Sequence, residues 1–232
     1  SLDCTFCATS QLKRMRNLNP DEIFDQVTML NKQSLEHFER PLSNIVFMGM
    51  GEPMMNYPNV MKAIAKITSP EGIGMSPKRI TVSTSGIPKM IVKMADEHPR
   101  FKLAVSLHSA IEETRNQIMP FSTSFPLTDL QDSIRYWFSK TKARVTYEYV
   151  VWKNINDSKA EIDALVRFCK KTPSKVNLIE YNPVGNDQFN QADDDATNQY
   201  VAALEKSHIP VTIRRSRGKD IDAACGQLAN KT

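Results

Sequence analysis

The stretch NIVFMGMGEP (44–53) runs a short apolar segment straight into two glycines, a carboxylate and a proline. A brief apolar run bounded by turn signals reads as a buried strand, so 44–49 is expected to be one. Upstream, PDEIFDQVTMLNK (20–32) reads as a helix. Asn19 can cap it, Pro20 takes the first turn, and Asp21 and Glu22 complement its positive end. Ile23, Val27 and Leu30 then recur at helical spacing.

Downstream of 53 the alternation repeats. Val60, Ile64 and Ile67 mark a helix, RITVSTS (79–85) a strand, Met90, Ile91 and Met94 a helix, and FKLAVSLH (101–108) a strand. Leu130, Ile134 and Phe138 mark the next helix, RVTYEYVV (144–151) a strand, and Ile162, Leu165, Val166 and Cys169 another helical stripe. KVNLIEY (175–181), a helix through Tyr200 and Leu204, and IPVTIRR (209–215) complete the series. Strands alternating with helices of this length imply parallel βαβ units with right-handed crossovers. The expected class is α/β, either an open sheet or a barrel, complete or partial. Both place function at the carboxyl ends of the strands.

Polar motifs stand at those ends. GMGEP (49–53) follows the first strand; its glycines let the backbone approach a ligand, Glu52 can hold an ammonium group and Pro53 fixes the turn. It reads equally as a plain strand-to-helix turn, and it is no phosphate loop, since no GK[ST] follows. STSG (83–86), SLH (106–108) and YNP (181–183) follow later strands, so Ser106, His108 and Asn182 would face one mouth. Each alone can be a satisfied turn residue; together they describe a pocket for a polar small molecule.

At 232 residues, with 41% hydrophobic and 24% charged, the chain is expected to form one domain with a substantial core. No apolar run approaches the roughly 18 residues that span a bilayer, and the first residues lack the basic and apolar regions of a signal peptide. A soluble, cytoplasmic protein with reduced thiols and no membrane contact is expected. The net charge is only +4, but it is uneven: Lys13, Arg14 and Arg16 form one cluster, and Arg214, Arg215, Arg217 and Lys219 another. Such clusters bind phosphates or form a solvated face.

The four cysteines are Cys4, Cys7, Cys169 and Cys225. Cys169 completes the apolar stripe of its helix and belongs to the core. Cys225, between alanines and a glycine, reads from its residues alone as a small core side chain. The CTFC pair can be a redox pair, half a zinc site or part of an iron–sulfur site. A redox pair would cap a helix and a zinc site would need two more ligands, so the first two readings are weaker.

With these motifs assembled, the chain resembles the RlmN/Cfr family of radical S-adenosylmethionine (SAM) RNA methyltransferases, most of all its RlmN branch. The family carries CxxxCxFC, GMGEP, STSG, SLH, WNP or YNP, and DIDAACGQL, and this sequence has CTFC (4–7), GMGEP, STSG, SLH, YNP and DIDAACGQL (220–228) in that order. The resemblance implies a partial (β/α) TIM-like barrel of the radical SAM type that lacks its first strand, with 1–232 a catalytic-domain fragment. It implies that Cys4 and Cys7 are ligands of a 4Fe–4S cluster, and that Gly51, Glu52, Ser83, Ser106, Leu107, His108 and Asn182 contact SAM.

Under the same resemblance Cys225 accepts a methyl group from one SAM; a second SAM then activates methyl-Cys225, and its carbon adds to adenine C2. The implied partners are 23S rRNA, tRNA and an electron-donating reductase, with Arg214, Arg215, Arg217 and Lys219 as phosphate contacts. A Cfr-like enzyme acting on adenine C8, or an inactive RNA-binding remnant, are the alternatives. The family's first cluster cysteine would fall just before Ser1. The fragment is therefore expected to be inactive by itself, with an incomplete cluster site and a loose 1–11 stretch.

Overall fold

A computed structural model describes residues 2, 4–12, 16–185, 188–216, 218, 221 and 224–228. Lys13, Arg14, Arg217 and Lys219 of the two basic clusters lie outside them. Six strands form one sheet: β1 (Ile45–Phe47), β2 (Ile80–Thr84), β3 (Lys102–Ser106), β4 (Val145–Val150), β5 (Ser174–Ile179) and β6 (Val211–Arg214). The helices are α1 (Pro20–Phe38), α2 (Tyr57–Thr68), α3 (Pro88–Asp96), α4 (Glu112–Ile118), α5 (Leu127–Thr141), α6 (Lys159–Lys170) and α7 (Asp194–Lys206).

Helix α1 begins as its sequence dictates. The Asn19 side chain accepts from the Asp21 and Glu22 amides at 3.0 and 2.9 Å, while Glu22 accepts from the Asn19 amide at 2.9 Å. Arg16 clasps the same Glu22 carboxylate at 2.6 and 2.7 Å and, with the Asn19 amide, holds its pKa down to about 2. The expected stripe is only partly buried, however. Val27 is in the core, but Leu30 is 53% exposed, because α1 packs on α2 at the margin of the sheet and not over its centre.

The strand order is β1-β2-β3-β4-β5-β6, and every neighbouring pair is parallel. With right-handed crossovers, an order that never reverses keeps every crossover helix on one side of the sheet, which is the barrel arrangement and not the doubly wound one. Among the described residues β1 and β6 stay unpaired to each other, so the barrel is open and partial.

The strand period of two then separates two surfaces. Ile80 and Val82, Leu103 and Val105, Tyr147 and Tyr149, and Val176 and Leu178 face the helices and join Ile64, Met94, Ile134, Trp137, Leu165 and Leu204 in the main core. In α5 the buried aromatic is Trp137, one position from the expected Phe138. The inner surface is polar: Ser106 stands opposite Glu148, Glu148 opposite Asn177, and Asn177 opposite Thr212.

At the carboxyl ends the inner surface is covered by a second cluster of Ile118, Met119, Val150, Trp152, Ile179, Tyr181 and Phe189. Cys4 belongs to it at 7% exposure, and the Phe6 ring lies 4.9 Å from His108 and 5.0 Å from Trp152. The expectation of a loose N-terminal stretch is therefore corrected: Cys4, Phe6 and Cys7 are seated on the strand ends by aromatic packing. Helix α4, absent from the sequence reading, closes the same end.

Candidate active site at the carboxyl ends of the strands

GMGEP leads from β1 into a 3-10 turn at Pro53–Asn56. Gly51 sits at φ 93°, a left-handed conformation that only glycine adopts without strain. Glu52 is buried, and its carboxylate ties two strand ends together: Oε1 accepts from the Met54 amide at 2.9 Å and Oε2 from the Ser85 amide at 2.6 Å. Burial raises its pKa, while the hydrogen bonds from Ser85, Met54 and Thr84 oppose that rise.

STSG ends β2. Ser83 lies on the inner surface, opposite Ala104, and the Thr84 hydroxyl accepts from the Gly86 amide at 3.1 Å. SLH ends β3, with Ser106 on the inner surface and the Leu107 amide donating to the Glu148 carbonyl at 3.0 Å. His108 turns the chain at φ 56°. Its Nδ1 accepts from the Val150 amide at 3.1 Å, and burial, reinforced by the positive charge of Arg115, lowers its pKa to about 3. The ring is thus neutral, with its proton on Nε2.

Arg115, which the sequence reading missed, is the tie beneath these loops. It is 1% exposed and donates to the carbonyls of Ser106 at 2.9 Å, Leu107, and Ser85 at 2.8 Å. Burial lowers its pKa to about 10, and the neighbouring Cys4 and Glu112 act in the opposite sense. Gly86, at φ 98°, leaves it room: a Cβ there would lie 3.3 Å from Arg115 Nη2 and 3.1 Å from Leu130. The signal was present, since Ile111, Arg115 and Ile118 share one helical face, but an arginine on an apolar stripe is rarely read as buried.

YNP follows β5. Asn182 is 2% exposed and donates through Nδ2 to the Cys225 carbonyl at 3.0 Å, Ser216 Oγ at 2.8 Å and the Glu180 carbonyl at 3.3 Å. Its Oδ1 is buried without a partner among the described residues. The Cys225 turn is held from the other side by the N-terminal stretch, where the Ala8 amide donates to the Gly226 carbonyl at 2.8 Å and Thr9 Oγ1 bonds the Leu228 carbonyl.

Cys225 itself is an exposed residue, which corrects its reading as a core side chain; Cys169 is in the core as expected. The protein crowded around the Cys225 thiol raises its pKa by desolvation; Arg214 opposes this, and Cys7 and Glu148 add to it. Cys225, Cys7, Arg214 and Glu148 thus share one electrostatic neighbourhood. Glu148 on β4 is buried; its Oε1 accepts from Asn177 at 2.9 Å, and its Oε2 lies 3.9 Å from Arg214 Nη1. Arg214 is 46% exposed at its side chain, and Arg215 beside it is exposed.

The structure therefore gathers Glu52, Ser83, Ser106, Leu107, His108, Asn182, Cys4, Cys7 and Cys225 at one end of the sheet. A hollow of about 400 Å³ opens there, lined by Thr5, Gln117, Ile118, Ile155, Gln188 and Phe189. Another, of about 550 Å³ between α3 and α5, is lined by Pro88, Lys89, Asp129 and Tyr136 and by none of the motif residues. For SAM the chemistry fits: Glu52 offers acceptors to an ammonium group, and the orphaned Asn182 Oδ1 offers one to an N–H or O–H donor. For a cluster, Cys4 and Cys7 provide two sulfur ligands on one turn, braced by Ser10 Oγ to the Cys7 carbonyl at 2.7 Å. No group of three His, Cys, Asp or Glu gathers for a metal among the described residues. Nor is any helix among them long and apolar enough to cross a membrane.

Comparison with known proteins agrees with this fold. Residues 1–169 match the model of the radical SAM superfamily. Over 232 residues the chain is 68% identical to a probable dual-specificity RNA methyltransferase RlmN of Christiangramia forsetii, covering all of this chain and 66% of that one. The corresponding protein of Flavobacterium psychrophilum is 66% identical over 231 residues, with 67% of its length covered. The chain thus spans about two thirds of the length of these relatives. A crystal structure of a radical SAM methyltransferase from Sphaerobacter thermophilus superposes with a TM-score of 0.94 at 38% identity, covering 98% of this chain and 66% of that one.

Proposed function

The chain belongs to the radical SAM superfamily, and from that premise we propose that residues 1–232 are the catalytic domain of an enzyme that methylates carbon 2 of an adenosine in 23S rRNA and in tRNA through a methyl-cysteine. The relatives named as dual-specificity RNA methyltransferases support the RNA substrate. The observation that carries the reading is the seat of Cys225. Its turn is pinned on one side to the segment that follows Cys7 and on the other to Asn182, so the turn lies between the segment that would hold a cluster and the pocket that would hold SAM.

Each residue then has a task. Cys4 and Cys7 would hold a 4Fe–4S cluster, which when bound supplies the electron for reductive cleavage of SAM. Glu52 orients the amino group of SAM, and Ser83, Ser106 and the Leu107 main chain line the polar surface beneath it. His108, neutral and fixed by the Val150 amide, holds the loop without adding charge. The Cys225 sulfur must lose its proton before it accepts a methyl group, and Arg214 favours the thiolate. The basic run of Arg214, Arg215, Arg217 and Lys219 would meet RNA phosphates. An electron-donating reductase would be a partner, because reductive cleavage of SAM takes up an electron.

The test is nucleoside mass spectrometry on 23S rRNA and tRNA treated with the full-length enzyme after anaerobic cluster reconstitution. Formation of 2-methyladenosine, abolished by Cys225→Ala, is expected. An 8-methyladenosine product would move the site to C8. Undiminished methylation by Cys225→Ala would remove Cys225 from the acceptor role.

A further inference from the structure

The Asn182 amide has one permitted orientation. Its Nδ2 faces the Cys225 and Glu180 carbonyls, at 3.0 and 3.3 Å, and carbonyls only accept, so Oδ1 must lie on the opposite side. That oxygen is buried with no donor among the described residues. An unpartnered buried acceptor carries an uncompensated desolvation penalty, which a bound donor would recover. The other anchors of the turn, Ala8 on the Gly226 carbonyl and Gln227 on the Pro183 carbonyl at 3.3 Å, hold its later residues and not Cys225.

We propose that Asn182 is a positioning residue for Cys225: one end of its amide fixes the Cys225 main chain, and the other takes a donor from SAM, so that cofactor binding tightens the presentation of the acceptor thiol. This deepens the reading of the strand-end pocket as the SAM site and of Cys225 as methyl acceptor, and it rests on that reading. The coupling is direct, because a donor at the carbonyl end polarises the amide and strengthens its N–H bonds at the other end. It also fixes the side-chain torsion that aims those bonds.

The experiment measures alkylation of Cys225 by iodoacetamide, followed by peptide mass spectrometry, in the reconstituted full-length enzyme with and without saturating S-adenosylhomocysteine. That compound keeps the hydrogen-bond donors of SAM and has no methyl group to transfer. In the unsubstituted enzyme the ligand is expected to slow alkylation about fivefold, the equivalent of one net hydrogen bond. Asn182→Ala should alkylate faster and lose this protection even at saturation. Full protection retained in Asn182→Ala would mean that the ligand merely shields the thiol, and would overturn the coupling.

Ser216→Ala guards against a variant that fails to fold. It leaves Asn182 in place but removes one partner of Nδ2, so basal alkylation should rise and, because the coupling is reciprocal, the affinity for S-adenosylhomocysteine should fall by a few-fold at most. An unchanged alkylation rate in Ser216→Ala would also overturn the proposal. Absence of S-adenosylhomocysteine binding to the unsubstituted enzyme would bring down the parent reading, whereas binding with an unaltered protection ratio across the variants would bring down this inference alone.

Discussion

The Glu52 carboxylate accepts the main-chain amide of Ser85 at 2.6 Å, joining the loop after β1 to the loop after β2. The same side chain that the motif offers to a ligand is therefore also a structural tie. Glu52→Ala should leave the buried amides of Met54 and Ser85 less well paired, lowering stability by about 1–3 kcal/mol. It should also weaken SAM binding. Urea denaturation and equilibrium dialysis read the two effects separately; a variant as stable as the parent would show the tie to be dispensable.

Arg115 holds carbonyls at the ends of both β2 and β3 with one planar group. An ammonium cannot reach both strand ends in that geometry. Arg115→Lys should lose about 2–3 kcal/mol in a denaturant titration, despite keeping the charge. Preserved stability would mean that charge alone, and not the fork, is what the site requires.

His108 gives a pH signature. Its folded pKa is lowered to about 3, so the folded ring stays neutral where the unfolded ring, at 6.5, takes a proton. The contribution is complete above pH 6.5 and is lost as the pH falls from there toward 3. At pH 5 the loss is about 2 kcal/mol. His108→Gln, whose side chain can still accept the Val150 amide, should show a shallower fall in urea midpoint between pH 7.5 and 5. Parallel profiles for the two proteins would contradict the assignment.

Arg214 serves two surfaces, facing Glu148 at 3.9 Å while nearly half exposed. If it also contacts an RNA phosphate, Arg214→Ala should reduce the slope of log affinity against log salt by about 0.7–0.9. Filter binding at several salt concentrations checks this. An unchanged slope would confine Arg214 to the interior.

Much of the candidate site was legible because strand ends leave a linear trace. An apolar run followed by glycine, hydroxyl or asparagine residues marked the positions of Gly51, Ser83, Ser106, His108 and Asn182 without any tertiary information. Arg115 and Glu148 were not legible in this way. Each sits among apolar neighbours, and only packing shows that one ties three carbonyls while the other faces Asn177 and Arg214 across the inner surface.

The sequence by itself determined the alternation of strands and helices, hence a parallel α/β sheet, and its motifs pointed to the family and to the residues at the sheet's carboxyl end. Hydrophobic periodicity and turn chemistry are local, so they survive in one dimension. The tertiary structure alone decided that the order of strands never reverses, that Cys4 and Phe6 are packed and not loose, and that Cys225 sits on an exposed turn between Ala8 and Asn182. Those facts depend on contacts between residues far apart in the chain, whose geometry is set by burial and hydrogen-bond pairing that no local pattern encodes.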